Sequence, residues 1–189
     1  MIQSLLQADE RLSAQMRVAE KPGPLRNLAI FLAHSGDGWF IGPALLSIFV
    51  FADWEWKVLA VKLALGAGVV GLMVQLVKVI VRRKRPEGEW GAVYRKADPH
   101  SFPSGHTARM AILIVMSGVL APAWFFILLL VWGPLVALAR VAMGVHYLSD
   151  IIGGAVLGIV LGVIVMLTPF FQLMAMLGLW VLKWRVFST

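Results

Sequence analysis

Apolar residues in this chain fall into long blocks separated by short polar breaks. Residues 58–81, 123–139 and 151–171 are almost unbroken apolar runs, and the last carries no charge at all. A helix that crosses a membrane needs roughly 20 apolar residues, so each block predicts a transmembrane helix. A run at 105–120, ended by Pro122, predicts another. Pro134, inside the 123–139 block, predicts a kink. The stretch 25–52 is broken by His34-Ser35-Gly36-Asp37-Gly38. Charge and two glycines in mid-membrane are costly. The pattern therefore favours a short helix followed by a first span at 39–52 over a single kinked span. Asp53-Trp54-Glu55-Trp56-Lys57 reads as an interfacial loop with an aromatic belt, and Lys62 can snorkel back towards Trp56.

The ends of the chain are different. Residues 2–20 set Ile2, Leu5, Leu6, Leu12, Met16 and Val18 among charges, the pattern of an amphipathic helix lying in the membrane interface. Lys21-Pro22-Gly23-Pro24 breaks it. The early charges, from Asp9 to Lys21, argue against a cleavable signal peptide. Residues 172–187, with Trp180, Lys183, Trp184 and Arg185, predict a second interfacial helix or a short sixth span. The expected fold is all-α: a polytopic membrane helix bundle of roughly five to six transmembrane helices with an amphipathic N-terminal helix. It forms one membrane-embedded domain over 1–189, made of the N-terminal segment 1–24, the bundle 25–171 and the C-terminal segment 172–189.

Composition supports this. The 189 residues are 60% hydrophobic, against roughly 45–50% in soluble domains. The formal charge is +7. So apolar a chain leaves little wet surface for a nucleic acid duplex, so the expected partners are the bilayer, its anionic headgroups and a phosphorylated substrate. The absence of cysteine excludes disulfides, thiol catalysis and cysteine-bound metal. Gly154, Gly158 and Gly162, like Gly68 and Gly71, suit close helix approach. Packing within one bundle is the simpler reading, and a homodimer seam is the alternative.

The polar residues gather at helix ends. With a first span near 39, the ends of spans two and four and the starts of three and five share one membrane boundary. Lys78, Arg82 and Arg85 close the second span on one helical face, a cationic clamp for an oxyanion. Pro86 then disfavours further helix. Ser104 is a natural N-cap for the third span, Gly105 lets the backbone approach a ligand, and the free N–H groups there face an anion beside His106. Arg140 closes the fourth span. His146 and Asp150, one turn apart, open the fifth, so the carboxylate can fix the imidazole tautomer and leave one ring nitrogen as nucleophile or base. Titratable groups at such depth are functional candidates.

These segments resemble the three signature motifs of the type 2 phosphatidic acid phosphatase superfamily. The first runs from Lys78 through six residues to Arg85-Pro86. The second is Pro103-Ser104-Gly105-His106. The third reads Ala139-Arg140, five residues, His146, three residues, Asp150, with alanine where the pattern has serine. The resemblance implies a membrane lipid phosphatase that uses neither metal nor cofactor and is vanadate-sensitive. In it His146 attacks phosphorus to form a phosphohistidine and Asp150 orients His146. His106 protonates the leaving oxygen, and Lys78, Arg85, Ser104, Gly105 and Arg140 hold the phosphate. Ala139 removes one hydroxyl from that clamp, a hydrogen bond worth on the order of 1.5–3 kcal/mol. A protonated His106 beside a neutral His146 predicts a bell-shaped pH profile.

The implied substrate is a lipid phosphate monoester or diphosphate of the phosphatidate, phosphatidylglycerol phosphate or polyprenyl class. The alternatives are a lipid phosphoryl or headgroup transferase with the same site and a non-catalytic protein that binds anionic lipid. The soluble vanadium haloperoxidases share the motifs, but the apolar spans disfavour that activity. The expected location is the cell membrane. A positive-inside count over Arg82, Arg83, Lys84, Arg85, Arg95 and Lys96 puts the site on the cytoplasmic face. Several of those charges have a catalytic use, so the side of the site is left open.

Overall fold

A computed structural model describes residues 2–18, 22–88, 90, 98–169, 173 and 176. The regular elements are the helices α1 (Ile2–Gln15), α2 (Pro24–Ser35), α3 (Gly38–Phe51), α4 (Trp54–Val81), α5 (Gly105–Leu120), α6 (Ala123–Ala142) and α7 (Leu148–Leu167). An isolated antiparallel bridge joins Lys84 to His100. The chain is thus an all-helical membrane bundle. By length and composition α4, α6 and α7 can cross a membrane, whereas α3 and α5 are shorter apolar helices of 14 and 16 residues. The expected C-terminal helix at 172–187 lies outside the described residues, apart from Leu173 and Met176.

Most boundaries follow the apolar pattern, and the exceptions have local causes. The aromatic segment at 54–57 is the first turn of α4 and not a loop. Asp53 takes the extended N-cap conformation, and Glu55 in the first turn suits the positive end of the helix. Trp56 packs on Trp124 and Phe125, with ring centroids 5.5 and 5.6 Å away. The last span starts earlier than expected, at Leu148, because Asp150 turns back to accept from the Tyr147 N–H at 2.9 Å. It stops at Leu167, before Pro169. Helix α6 continues through Pro134.

Helix α5 lies at the centre, packed against α4, α6 and α7. The core between them holds Leu63, Val70, Val74, Ile112, Leu113 and Met116. Glycine sets the α5–α7 spacing. A Cβ at Gly154 would lie 2.5 Å from the Ser104 carbonyl oxygen, and one at Gly158 would lie 2.3 Å from that of Ala108. These backbones touch, as small-residue helix seams allow. Gly68 and Gly71 face open space and take no part in this packing, whereas Gly66 abuts Met116. Close approach of α5 to α7 brings the second and third polar segments together.

Candidate active site

The third segment forms the floor of the site. Helix α6 ends at Ala142, and Gly144, at φ 66°, reverses the chain. The short connection returns Val145 N–H to the Arg140 carbonyl at 3.2 Å. This places His146 just before α7, with 1% of its surface exposed. Its Nδ1 lies 3.3 Å from Asp150 Oδ2, and its Nε2 lies 3.2 Å from Arg85 Nη1. A proton on Nδ1 facing the carboxylate leaves the Nε2 lone pair towards the guanidinium. Burial, then the charges of Arg140, Arg85, His106 and Lys78, hold the His146 pKa well below its ordinary 6.5. Charges from all three segments thus reach this ring.

The first segment delivers its cations differently from expectation. Lys78, in the last turn of α4, is buried. Helix α4 ends at Val81, and the left-handed backbone of its C-cap Arg82 (φ 51°) swings the following residues away from the helical path. Arg82 is therefore exposed, its Nε donating to the Val79 carbonyl at 2.8 Å. The expected face of Lys78, Arg82 and Arg85 is not formed: Lys78 and Arg85 point inward and Arg82 does not. Arg83 goes inward in its place. Its Nη1 donates to Asp150 Oδ1 at 2.8 Å, its Nη2 to Asp9 Oδ2 at 2.7 Å, and its guanidinium carbon sits 4.0 Å from the Tyr147 ring centre.

The second segment supplies the opposite wall. Ser104 caps α5, its Oγ accepting from Thr107 N–H at 3.4 Å, while its own N–H donates to the Asp150 carbonyl at 3.0 Å. Gly105 begins the helix, and a Cβ there would sit 3.4 Å from Val74. His106 Nε2 is hydrogen-bonded to Asp37 Oδ1. Ala139 packs its methyl group into a buried apolar cluster with Ala29, Ala33 and Met143.

Three carboxylates found here were not singled out by motif or spacing. Asp98 Oδ2 accepts from Lys78 Nζ and from Arg85 Nη2, the latter at 2.8 Å, and its carbonyl accepts from Arg85 Nε at 2.7 Å. Asp9 of α1 accepts from Ser149 N–H at 3.0 Å, beside Ser13, whose Oγ takes the Leu148 N–H at 2.9 Å. These two side chains satisfy the first free N–H groups of α7. Asp37 is the third. No local signal could have joined these residues to partners so distant in sequence.

Residues 59–174 match the PAP2 superfamily. The chain is 34% identical over 160 residues to the decaprenylphosphoryl-5-phosphoribose phosphatase of Mycobacterium tuberculosis, covering 82% of this chain and 85% of that protein. It is 26% identical over 137 residues to the undecaprenyl-diphosphatase of Sulfolobus acidocaldarius, covering 71% and 66%. The fold resembles the crystal structure of a transmembrane PAP2-type phosphatidylglycerolphosphate phosphatase from Bacillus subtilis, with a TM-score of 0.69, 25% identity and coverage of 85% and 84%.

Proposed function

The chain belongs to the PAP2 superfamily, and on that premise we propose that it is a membrane lipid phosphatase that works through a phosphohistidine on His146. The observation that carries this reading is His146 itself: a buried imidazole set between Asp150 on one nitrogen and the Arg85 guanidinium on the other.

The chemistry follows from that geometry. A phosphate monoester enters with nearly two negative charges and meets Lys78, Arg85 and Arg140. The excess positive charge favours the transition state, where charge builds on the phosphoryl oxygens. Ser104 and the Gly105 N–H at the start of α5 add donors. The neutral His146 Nε2 attacks phosphorus, and Asp150 stabilises the imidazolium that results. The ester P–O bond breaks as His106 protonates the departing oxygen. Water then attacks the phosphohistidine, giving a proton to His106 and releasing phosphate. Helices α3 and α5 complete the bundle as short or tilted spans. We take a polyprenyl-linked phosphate as the favoured substrate, because the relative at 34% identity is named for one.

The test is phosphate release in detergent from decaprenyl-linked phosphoribose, a polyprenyl diphosphate, phosphatidylglycerol phosphate and phosphatidate. Wild type is compared with His146→Ala. Release that disappears in the variant supports the proposal. Equal release from both proteins refutes it.

A further inference from the structure

Resting on the proposed role of His106, we infer that Asp37 is its positioning residue: the two form a carboxylate–imidazole pair that delivers the proton to the leaving oxygen. In the sequence Asp37 stood only as part of a polar break between α2 and α3. In the fold it is 9% exposed and lies against the start of α5.

Asp37 is the N-cap residue of α3, yet its side chain makes no capping hydrogen bond. The carboxylate is turned to other partners. Oδ1 meets His106 Nε2, while Oδ2 accepts from His34 Nδ1 at 2.8 Å and from Trp39 Nε1 at 2.9 Å. His34 and Trp39 thus fix the carboxylate from behind, leaving Oδ1 for His106. Burial opposes charge on Asp37, but the bonds from His106, His34 and Trp39 outweigh it and hold its carboxyl below the usual carboxylate range. Its charged form is thereby favoured.

The surrounding chain holds His106 in the same pose. A Cβ on Gly36 would lie 2.5 Å from Val136 and 3.4 Å from His106 Cδ2, so the turn before α3 is pressed against the imidazole. Arg109, one turn further along α5, pins that turn by donating from Nη1 to the Gly36 carbonyl at 3.1 Å. With Nε2 on Asp37, Nδ1 is the nitrogen that no described residue hydrogen-bonds, and it is the one to face the leaving oxygen.

Burial and then the charges of Arg140 and Arg109 oppose an imidazolium at this position, and Asp37, hydrogen-bonded to Nε2, is the negative charge set against them. In the first step His106 gives its Nδ1 proton to the ester oxygen as the P–O bond breaks, and keeps its Nε2 proton on Asp37. In the second step Nδ1 takes a proton from the attacking water, restoring the starting state. The site then holds two carboxylate–histidine pairs of opposite use: Asp150 orients a nucleophile, and Asp37 orients an acid.

Dependence on the leaving group tests this. Octyl phosphate, with a poor leaving alkoxide, needs the acid, whereas p-nitrophenyl phosphate, with a good one, does not. Wild type, Asp37→Asn, His106→Ala and the double variant are assayed on both esters in detergent. Asp37→Asn is expected to lose about 10²-fold in kcat/KM, which reports only the steps up to phosphohistidine formation, on octyl phosphate, and only a few-fold on p-nitrophenyl phosphate. The double variant is expected to lose no more than His106→Ala. Equal losses on the two esters by Asp37→Asn, or additive losses in the double variant, would overturn the inference. If His106→Ala is itself unselective, the assignment of His106 as acid fails. If it is selective and Asp37→Asn is not, only the role of Asp37 fails. Asp37→Glu keeps a carboxylate and guards against a folding defect in the Asn variant. It is expected to recover part of the octyl phosphate activity relative to Asp37→Asn. A folded Glu variant that loses both esters equally would overturn the inference as well.

Discussion

Arg83 donates to the buried Oδ1 of Asp150 at 2.8 Å across 67 positions of sequence. The carboxylate hydrogen-bonded to His146 Nδ1 is thus itself held by a cation outside the three motifs. Asp9 of α1 binds the other arm of the same guanidinium at 2.7 Å. The N-terminal helix therefore connects to the site through Asp9, Arg83 and Asp150.

Arg83→Met is expected to leave Asp150 buried with one charged partner fewer. Breaking a buried pair costs about 3 kcal/mol, so both thermal stability in detergent and kcat should fall. Asp9→Asn should fall less, because an amide oxygen at that position can still accept from Ser149 N–H and Arg83 keeps its own bond to Asp150. Arg82→Ala, at an exposed position, should change kcat by less than about twofold. A loss at Arg82 as large as that at Arg83 would contradict the geometry.

The pH dependence of His146 has a definite sign. Its folded pKa is held well below 6.5, through burial first and then its cationic neighbours. The unfolded chain takes up this proton below about pH 6.5, and the folded chain only at lower pH. The resulting stability is fully present above pH 6.5 and is lost as pH falls towards the folded value. In the proposed mechanism attack requires the neutral ring, so the acidic limb of kcat/KM should also lie below pH 6.5. A pH–rate profile with that limb at or above 6.5 would contradict the environment described for His146.

Gly158→Ala should be destabilising, although alanine favours helix. Its Cβ would lie 2.3 Å from the Ala108 carbonyl oxygen and 2.7 Å from the Ala111 Cβ. Backbone must move, at a cost of about 1–3 kcal/mol. Separating α5 from α7 also separates Ser104 from Asp150, so activity should fall with Tm. Gly71→Ala meets nothing within 4 Å and should leave Tm unchanged or raise it. Equal behaviour of the two variants in a thermal melt would argue against this seam.

Asp98 lies between Lys78 and Arg85, the cations proposed to hold phosphate. An incoming phosphate must displace or repel that carboxylate. Asp98→Asn should therefore tighten competitive inhibition by inorganic phosphate by about tenfold, the effect of removing one charged hydrogen-bond competitor. Weaker inhibition would mean that Asp98 aims the two cations and does not compete for them.

The spans and the local parts of the site were legible in the sequence because both rest on short-range regularities. Apolar length gave α4, α6 and α7. Helical period placed Asp150 one turn from His146, and Ser104 before an apolar run marked the start of α5. The same reasoning failed at Arg82. It assumed that the helix continued, and a single left-handed residue there exchanged the directions of Arg82 and Arg83.

Local pattern is enough to specify a set of apolar helices with His, Arg, Lys and Asp at their ends, because burial length and helical period are local properties. Which charge meets which is settled by packing alone. Asp9 reaches Ser149, Asp37 reaches His106, Asp98 bridges Lys78 and Arg85, and Arg83 reaches Asp150. A buried carboxylate must find donors wherever packing brings them, and the spacing of Gly154, Gly158 and Gly162 marked a face for close helix approach without naming α5 as its partner.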